Sequence, residues 1–154
     1  MTMLHALTAM RMTGLAAMRV AGLAAMGVAL VAMPSAARAQ TVTGDWLTDD
    51  GSAIIHVAMR GAHLWGTIAR VLDPAAPAKD IRNPDPAART RPLVGTAVLL
   101  DFTRSSKGWD NGRAYDPKAG RSYRSTLALN GADRLDVTGC VLFLCRTKSW
   151  TRAR

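Results

Sequence analysis

Fifteen residues, Trp109 to Tyr123, constrain this chain more than any other stretch. They read WDNGRAYDPKAGRSY and hold two reversal signals, Asp110-Asn111-Gly112 and Asp116-Pro117-Lys118-Ala119-Gly120. Gly takes positive φ cheaply, Pro presets φ, and Asx side chains bond their own backbone. Two reversals this close, each beside an aromatic residue, predict tight antiparallel β structure with a short strand between them.

The rest of the chain agrees. Eight strands are expected: Gly44–Thr48, Ala53–Arg60, His63–Leu72, Leu93–Thr103, Arg113–Tyr115, Ser122–Leu129, Arg134–Val141 and Cys145–Arg152. No segment after residue 39 carries helical periodicity over 11 residues. Short strands joined by tight turns predict an all-β fold, a small antiparallel up-and-down β-barrel, which removes the sheet edges. With Gly61-Ala62 as a turn, Ile55/Ile68, Val57/Gly66 and Met59/Leu64 face each other on an apolar inner wall. His56/Thr67, Ala58/Trp65 and Arg60/His63 form the outer one. Gly66 inside a strand points to a bulge or a close approach.

The first 39 residues read as a cleaved signal peptide. Arg11 and Arg19 precede an apolar run from Val20 to Met33, and Ala37-Arg38-Ala39 is a small-residue cleavage site before Gln40. The run of 14 residues falls short of the roughly 20 that span a bilayer, so no transmembrane segment is expected in the mature chain. The expectation is a periplasmic or secreted protein with one barrel domain, residues 40–154. It holds 17 basic and 11 acidic residues, a net charge of +6, with no Glu. The charges are scattered singly, which reads as a solvated basic surface. Trp65 between Arg60 and Arg70 is one aromatic, not a stacking platform, so nucleic acid is not an expected partner.

Cys140 and Cys145 are the two cysteines, and in an oxidising compartment they are expected to pair across the last hairpin, worth about 2 kcal/mol. His56 and His63 lie on one face but about 13 Å apart along the strand, too far to share a metal ion. There is no G-x-S-x-G, H-E-x-x-H or phosphate loop, and no cofactor is expected. The Asp residues sit mostly in turn sequences. The chain is therefore read as a non-catalytic protein.

Two segments leave alternatives open. Asp73 to Pro92 is a 20-residue Pro-rich loop, either a solvated excursion or a lid pinned by Asp80 with Arg82 or Arg91. The tip Val141-Leu142-Phe143-Leu144 is expected to fold inward and plug the barrel end; exposed, it would be a patch for a lipid or a partner.

A set of ordered motifs runs through nearly all of the mature chain: Gly44-x-Trp46, Leu64-Trp65-Gly66-x-Ile68, Asp80-x-x-Asn83-Pro84, Arg91-Pro92-Leu93-x-Gly95, Trp109-x-x-Gly112, Tyr115-Asp116-Pro117-x-x-Gly120-x-x-Tyr123, Leu135-x-Val137-x-Gly139-Cys140 and Trp150-Thr151-Arg152. In these the chain resembles the exported bacterial family known as domain of unknown function 2147. The resemblance implies a lipocalin-like barrel and no established activity. It departs at residues 141–144, where a glycine is expected. Lipocalins open with Gly-x-Trp, the Trp packed under a basic side chain from the closing strand; the resemblance assigns those structural parts to Trp46 and Arg152. Trp109, Tyr115 and Tyr123 are likewise read as structural.

The expected function is binding. Ile55, Val57, Met59, Leu64, Ile68, Val98 and Leu100, with Leu127 and Leu129, are candidate wall residues for a small hydrophobic or amphipathic ligand. Asp80, Asn83 and Arg91 are candidates near the mouth. The alternative is a filled barrel acting through surface contacts with a protein or an anionic envelope component.

Overall fold

The structure, a computed structural model, describes residues 41–154. The expected leader lies outside the described residues. Eight antiparallel strands form a closed barrel: β1 (Gly44–Leu47), β2 (Ala53–Arg60), β3 (His63–Val71), β4 (Ala97–Ser105), β5 (Gly108–Asp116), β6 (Arg121–Leu129), β7 (Arg134–Val141) and β8 (Leu144–Arg152). Each strand pairs with its neighbour in sequence, and β1 closes on β8 through Trp46 opposite Arg152. A single 3-10 turn, Pro86–Ala88, interrupts the long loop.

The β2–β3 register is the one the Gly61-Ala62 turn dictates, from Arg60 opposite His63 to Ile55 opposite Ile68. The Asp116–Gly120 turn also forms as its residues require. The Asp116 carboxylate accepts from the Lys118 and Ala119 amides, and Gly120 takes φ 66.

Asn111-Gly112 behaves differently. It lies inside β5, and the reversal is at Ser105–Gly108. Asn111, at φ 58, forms a bulge where the β5–β6 register shifts between Trp109 and Gly112. The positive φ that Asn tolerates is used to curve a strand, not to reverse the chain. The bulge carries Gly112 under the Phe102 ring, which a Cβ would overlap.

β4 is shorter than its apolar run suggests. Residues 93–96 turn beneath the loop, with the Thr96 amide bonded to the Leu93 carbonyl. Val94 is exposed. Two register shifts and Asp101 at φ 61 then break the alternation of β4. They turn both Leu99 and Phe102 into the core and leave Leu100 only half-buried. Gly66 faces Leu99, and a Cβ there would sit 2.9 Å from that side chain, so the expected close approach is present.

The loops after β1, β3, β5 and β7 gather at one end of the barrel, the mouth. The other end is the floor, where Arg152 closes the structure. Its guanidinium lies 4.2 Å from the centroid of the Trp46 ring and donates to the carbonyls of Thr41 and Thr43. The Trp46 indole N–H donates to the Val42 carbonyl. A cation over an indole contributes about 0.5–2 kcal/mol. Arg104 stacks similarly on Trp109, which is buried opposite Leu127.

Candidate functional site

Half of the barrel is solid and half is hollow. Toward the floor, Trp46, Val57, Leu64, Leu99, Phe102, Leu127 and Leu135 are buried to 1 % exposure or less and pack as one core. Toward the mouth, a cavity of about 1000 Å³ opens between Ile55, Ile68, Val71, Val98, Val137 and Trp150. A volume of that size is at the upper end of what small-ligand sites occupy. The inner wall changes character along β8. Trp150 is buried deep, and one turn of the pleat further Lys148 and then Arg146 face inward. Apolar floor and cationic upper wall are thus set by the period-two alternation of one strand.

The long loop is a folded lid, not an excursion. Asp80 is 2 % exposed and is its anchor. Its carboxyl accepts both from the Tyr115 hydroxyl, at 2.8 and 2.9 Å, and from the Asn83 amide, at 2.7 Å. The Asp80 amide donates to the Arg91 carbonyl, and Lys79 bridges Pro92, so the two legs of the lid are stitched together. The lid also packs on the Asp116–Gly120 turn. Arg82 donates to the Lys118 carbonyl, and its own carbonyl fills the space a Cβ on Gly120 would need. Burial, then the hydrogen bond to Asp80 and the charge of that carboxyl, push the Tyr115 phenol above its usual range and keep it a donor.

The rim carries charges of both signs. Lys118 donates to Asp50 at 2.8 Å and lies 3.9 Å from Asp73, while Lys148 is 3.4 Å from Asp49. Arg146 has no carboxylate within ion-pair distance among the described residues. Burial alone raises the Asp50 carboxyl, but hydrogen bonds from Lys118, Ser52 and Thr48 outweigh it and hold the group below the usual carboxylate range. The same hydrogen bond raises Lys118, against a smaller opposing effect of burial. A depressed carboxyl stabilises the fold above its unfolded value of about 4 and loses that contribution as pH falls below it. The thermal midpoint is therefore expected to drop as pH is lowered below about 4, and less steeply in Asp50→Asn; equal slopes in a pH series of melting curves would show that this pair does not link proton binding to folding.

The residues expected to form a ligand site fall in different places. Ile55, Ile68 and Val98 line the cavity. Val57, Leu64 and Leu127 do not; they are buried with Leu99 and Phe102 in the filled half, where Gly66 carries Val57 on one side and Leu99 on the other, and Leu64 stands opposite Phe102. Leu100 is turned off the cavity by the β4 bulges. Met59 is 43 % exposed at the floor end, where with Leu129 it borders a small cleft beside Thr43 and Trp109. Asp80, Asn83 and Arg91 do not line the cavity either. They hold the lid, and Asp80 is pinned by Tyr115 and Asn83, not by Arg82 or Arg91 side chains. Tyr123, read as structural, lines the cavity wall. The residues that sequence reasoning missed are Val71, Val137, Arg146, Lys148 and Trp150. The alternation of β7 and β8, read from Trp150, was the signal for the last four.

Cys140 and Cys145 stand opposite each other and are disulfide-bonded. The tip beyond them does not plug the barrel: Val141, Leu142, Phe143 and Leu144 are exposed. In a two-residue turn neither side chain can reach back into the barrel. Leu142 takes φ 54, a conformation that costs a side-chain-bearing residue about 1–2 kcal/mol and suits the glycine expected there. His56 and His63 rest against separate carboxylates, His56 on Asp45 at 2.6 Å and His63 near Asp101 at 3.0 Å. Among the described residues no helix is long and apolar enough to cross a membrane.

The barrel is similar to a solved structure, protein HP1028 from the human pathogen Helicobacter pylori, described as belonging to the lipocalin family. The TM-score is 0.68 at 20% sequence identity, over 75% of this chain and 85% of that one. That likeness shows a lipocalin-like fold. No curated protein matches the chain. Residues 44–152, which span every strand from β1 to β8, match the family described as "Uncharacterized protein conserved in bacteria (DUF2147)". The chain belongs to that family.

Proposed function

We propose that this chain is an exported, non-catalytic binding protein whose barrel takes one small amphipathic molecule. The observation that carries the reading is the cavity of about 1000 Å³ with an apolar depth and cationic residues on its upper wall. The apolar part of a ligand would lie against Ile55, Ile68, Val98 and Val137. An acidic head group would meet Arg146, an inward cation without a carboxylate partner among the described residues. Burial of an apolar tail contributes about 25 cal/mol per Å². The head-group contact orients the molecule and sets specificity. The similarity to a lipocalin-family structure supports the same reading.

Gly139 offers a direct test. It lies on the inner wall of the cavity, and an added Cβ would meet nothing closer than 3.5 Å. A large side chain there enters empty space instead of a packed core, so Gly139→Trp is expected to leave the thermal midpoint within a few degrees. Titration with a dansyl-labelled fatty acid is expected to show saturable 1:1 uptake by the wild type and at least a ten-fold weaker signal in the variant. Equal uptake by both proteins, or none by the wild type, would reject a ligand in this cavity. Native mass spectrometry of the protein isolated from its own host, before and after organic extraction, would identify the natural ligand.

A further inference from the structure

The β7–β8 hairpin stands at the mouth end of the barrel and ends in four successive apolar residues. Val141, Leu142, Phe143 and Leu144 are 54, 91, 85 and 69 % exposed. Turns are ordinarily polar, and a glycine would take the φ of 54° that Leu142 holds without strain. Fold stability does not call for this tip. The disulfide between Cys140 and Cys145 lies directly beneath it and makes the stalk rigid.

The surroundings of the tip are cationic. Strand register places Arg113 directly opposite Arg124, and Arg124 opposite Cys140. Both arginines are exposed, and neither has a carboxylate within ion-pair distance among the described residues. Like charges directly opposed on a sheet repel, and an anionic neighbour would relieve that repulsion. Arg121 lies further along β6 toward the same end.

We propose that this end of the barrel docks on an anionic lipid bilayer, with Leu142 and Phe143 entering the acyl region and Arg113, Arg121 and Arg124 meeting lipid phosphates. A projecting apolar finger is convex. A protein partner would need a matching pocket, whereas a fluid bilayer accommodates the shape as it stands. Guanidinium groups on long stems reach phosphates at the level of the head groups while the tip is buried below them. The attachment is interfacial: the outer wall carries Asp45, His56, Arg113 and Arg124, not the apolar band of a spanning barrel. Docking this way places the cavity mouth, bordered by Val141 and Leu144, against the membrane. The inference does not rest on the cavity holding a ligand.

The test is flotation of the folded protein with vesicles of equal parts phosphatidylglycerol and phosphatidylethanolamine, compared with phosphatidylcholine vesicles, at low and high salt. Leu142→Asn/Phe143→Ser removes the apolar tip at a turn where Asn tolerates positive φ. Arg113→Gln/Arg124→Gln removes the opposed charges. Each pair is expected to weaken binding to the anionic vesicles at least ten-fold, and salt should weaken wild-type binding. Dansyl fatty acid uptake in solution should not change in the tip variant, so that failure of docking and failure of the cavity reading are separable. No vesicle binding by the wild type, or equal binding by the tip variant, overturns the proposal. So does self-association that the tip variant abolishes in the absence of vesicle binding, which would assign the finger to a second copy of the chain.

Discussion

Gly112→Ala should destabilise the barrel by about 3 kcal/mol, an effect that follows from packing and not from glycine's backbone freedom. The Phe102 ring lies flat against the Gly112 backbone, and a single added methyl would overlap it. Phe102 cannot step aside, because it is wholly buried among the residues that fill the floor half of the barrel. Overpacking a filled core costs typically 1–3 kcal/mol and sometimes more. The same methyl in the cavity half would be tolerated, as at Gly139. Chemical denaturation of Gly112→Ala and of the double variant Gly112→Ala/Phe102→Leu separates this account from a general loss of strand curvature. If the ring is the obstacle, the smaller Leu recovers part of the loss, and the two substitutions are non-additive. Strict additivity would mean that the bulge geometry, not the ring, requires glycine.

Asp80→Ala should unpin the lid and cost about 3 kcal/mol. The substitution removes the acceptor for Tyr115 and Asn83 together, and Tyr115 is buried. A buried donor left without a partner costs about 1–3 kcal/mol. Tyr115→Phe should cost less, since the Asn83 amide still bonds the carboxyl. The sharper readout is local. The Asn83 amide donates to the Asp80 carbonyl in a local turn, and the Leu93 amide donates across the lid to the Ala78 carbonyl. Their hydrogen exchange should quicken in Asp80→Ala by more than the global loss of stability accounts for. Exchange that rises only in step with global unfolding would show that the lid is held by its packing on the Asp116–Gly120 turn instead.

The clash at Gly112 shows why one motif was misread. Asn-Gly is a local signal for positive φ, and positive φ serves a hairpin turn and a β-bulge equally. Which of the two forms depends on where the next strand lies, and that is not written in the dipeptide. Asp116-Pro117-Lys118-Ala119-Gly120 was legible because its turn is closed by its own atoms: the Asp116 carboxylate and the Lys118 and Ala119 amides. The lid is the opposite case. Asp80 was marked by its setting among prolines, but its partner Tyr115 stands 35 residues away, on a strand. Arg82 and Arg91 were closer in sequence and opposite in charge, and charge alone does not choose between a guanidinium at the surface and a phenol in the interior.

By itself the sequence determined the all-β class, the order of the strands, the β2–β3 register and the pairing of the cysteines. Each of these depends on a period of two or on a turn of a few residues. Tertiary structure alone decided that the barrel is filled below and hollow above. Bulges in β4 reset the alternation, so Leu99 and Phe102 are both buried in the core and Leu100 is only half-buried. It also decided that residues 141–144 stay outside, because a two-residue turn on a disulfide-bonded hairpin cannot fold back over the mouth. The physical reason is the same in each case: a strand's pattern says which side chains share a face, and only closure of the sheet says what those faces meet.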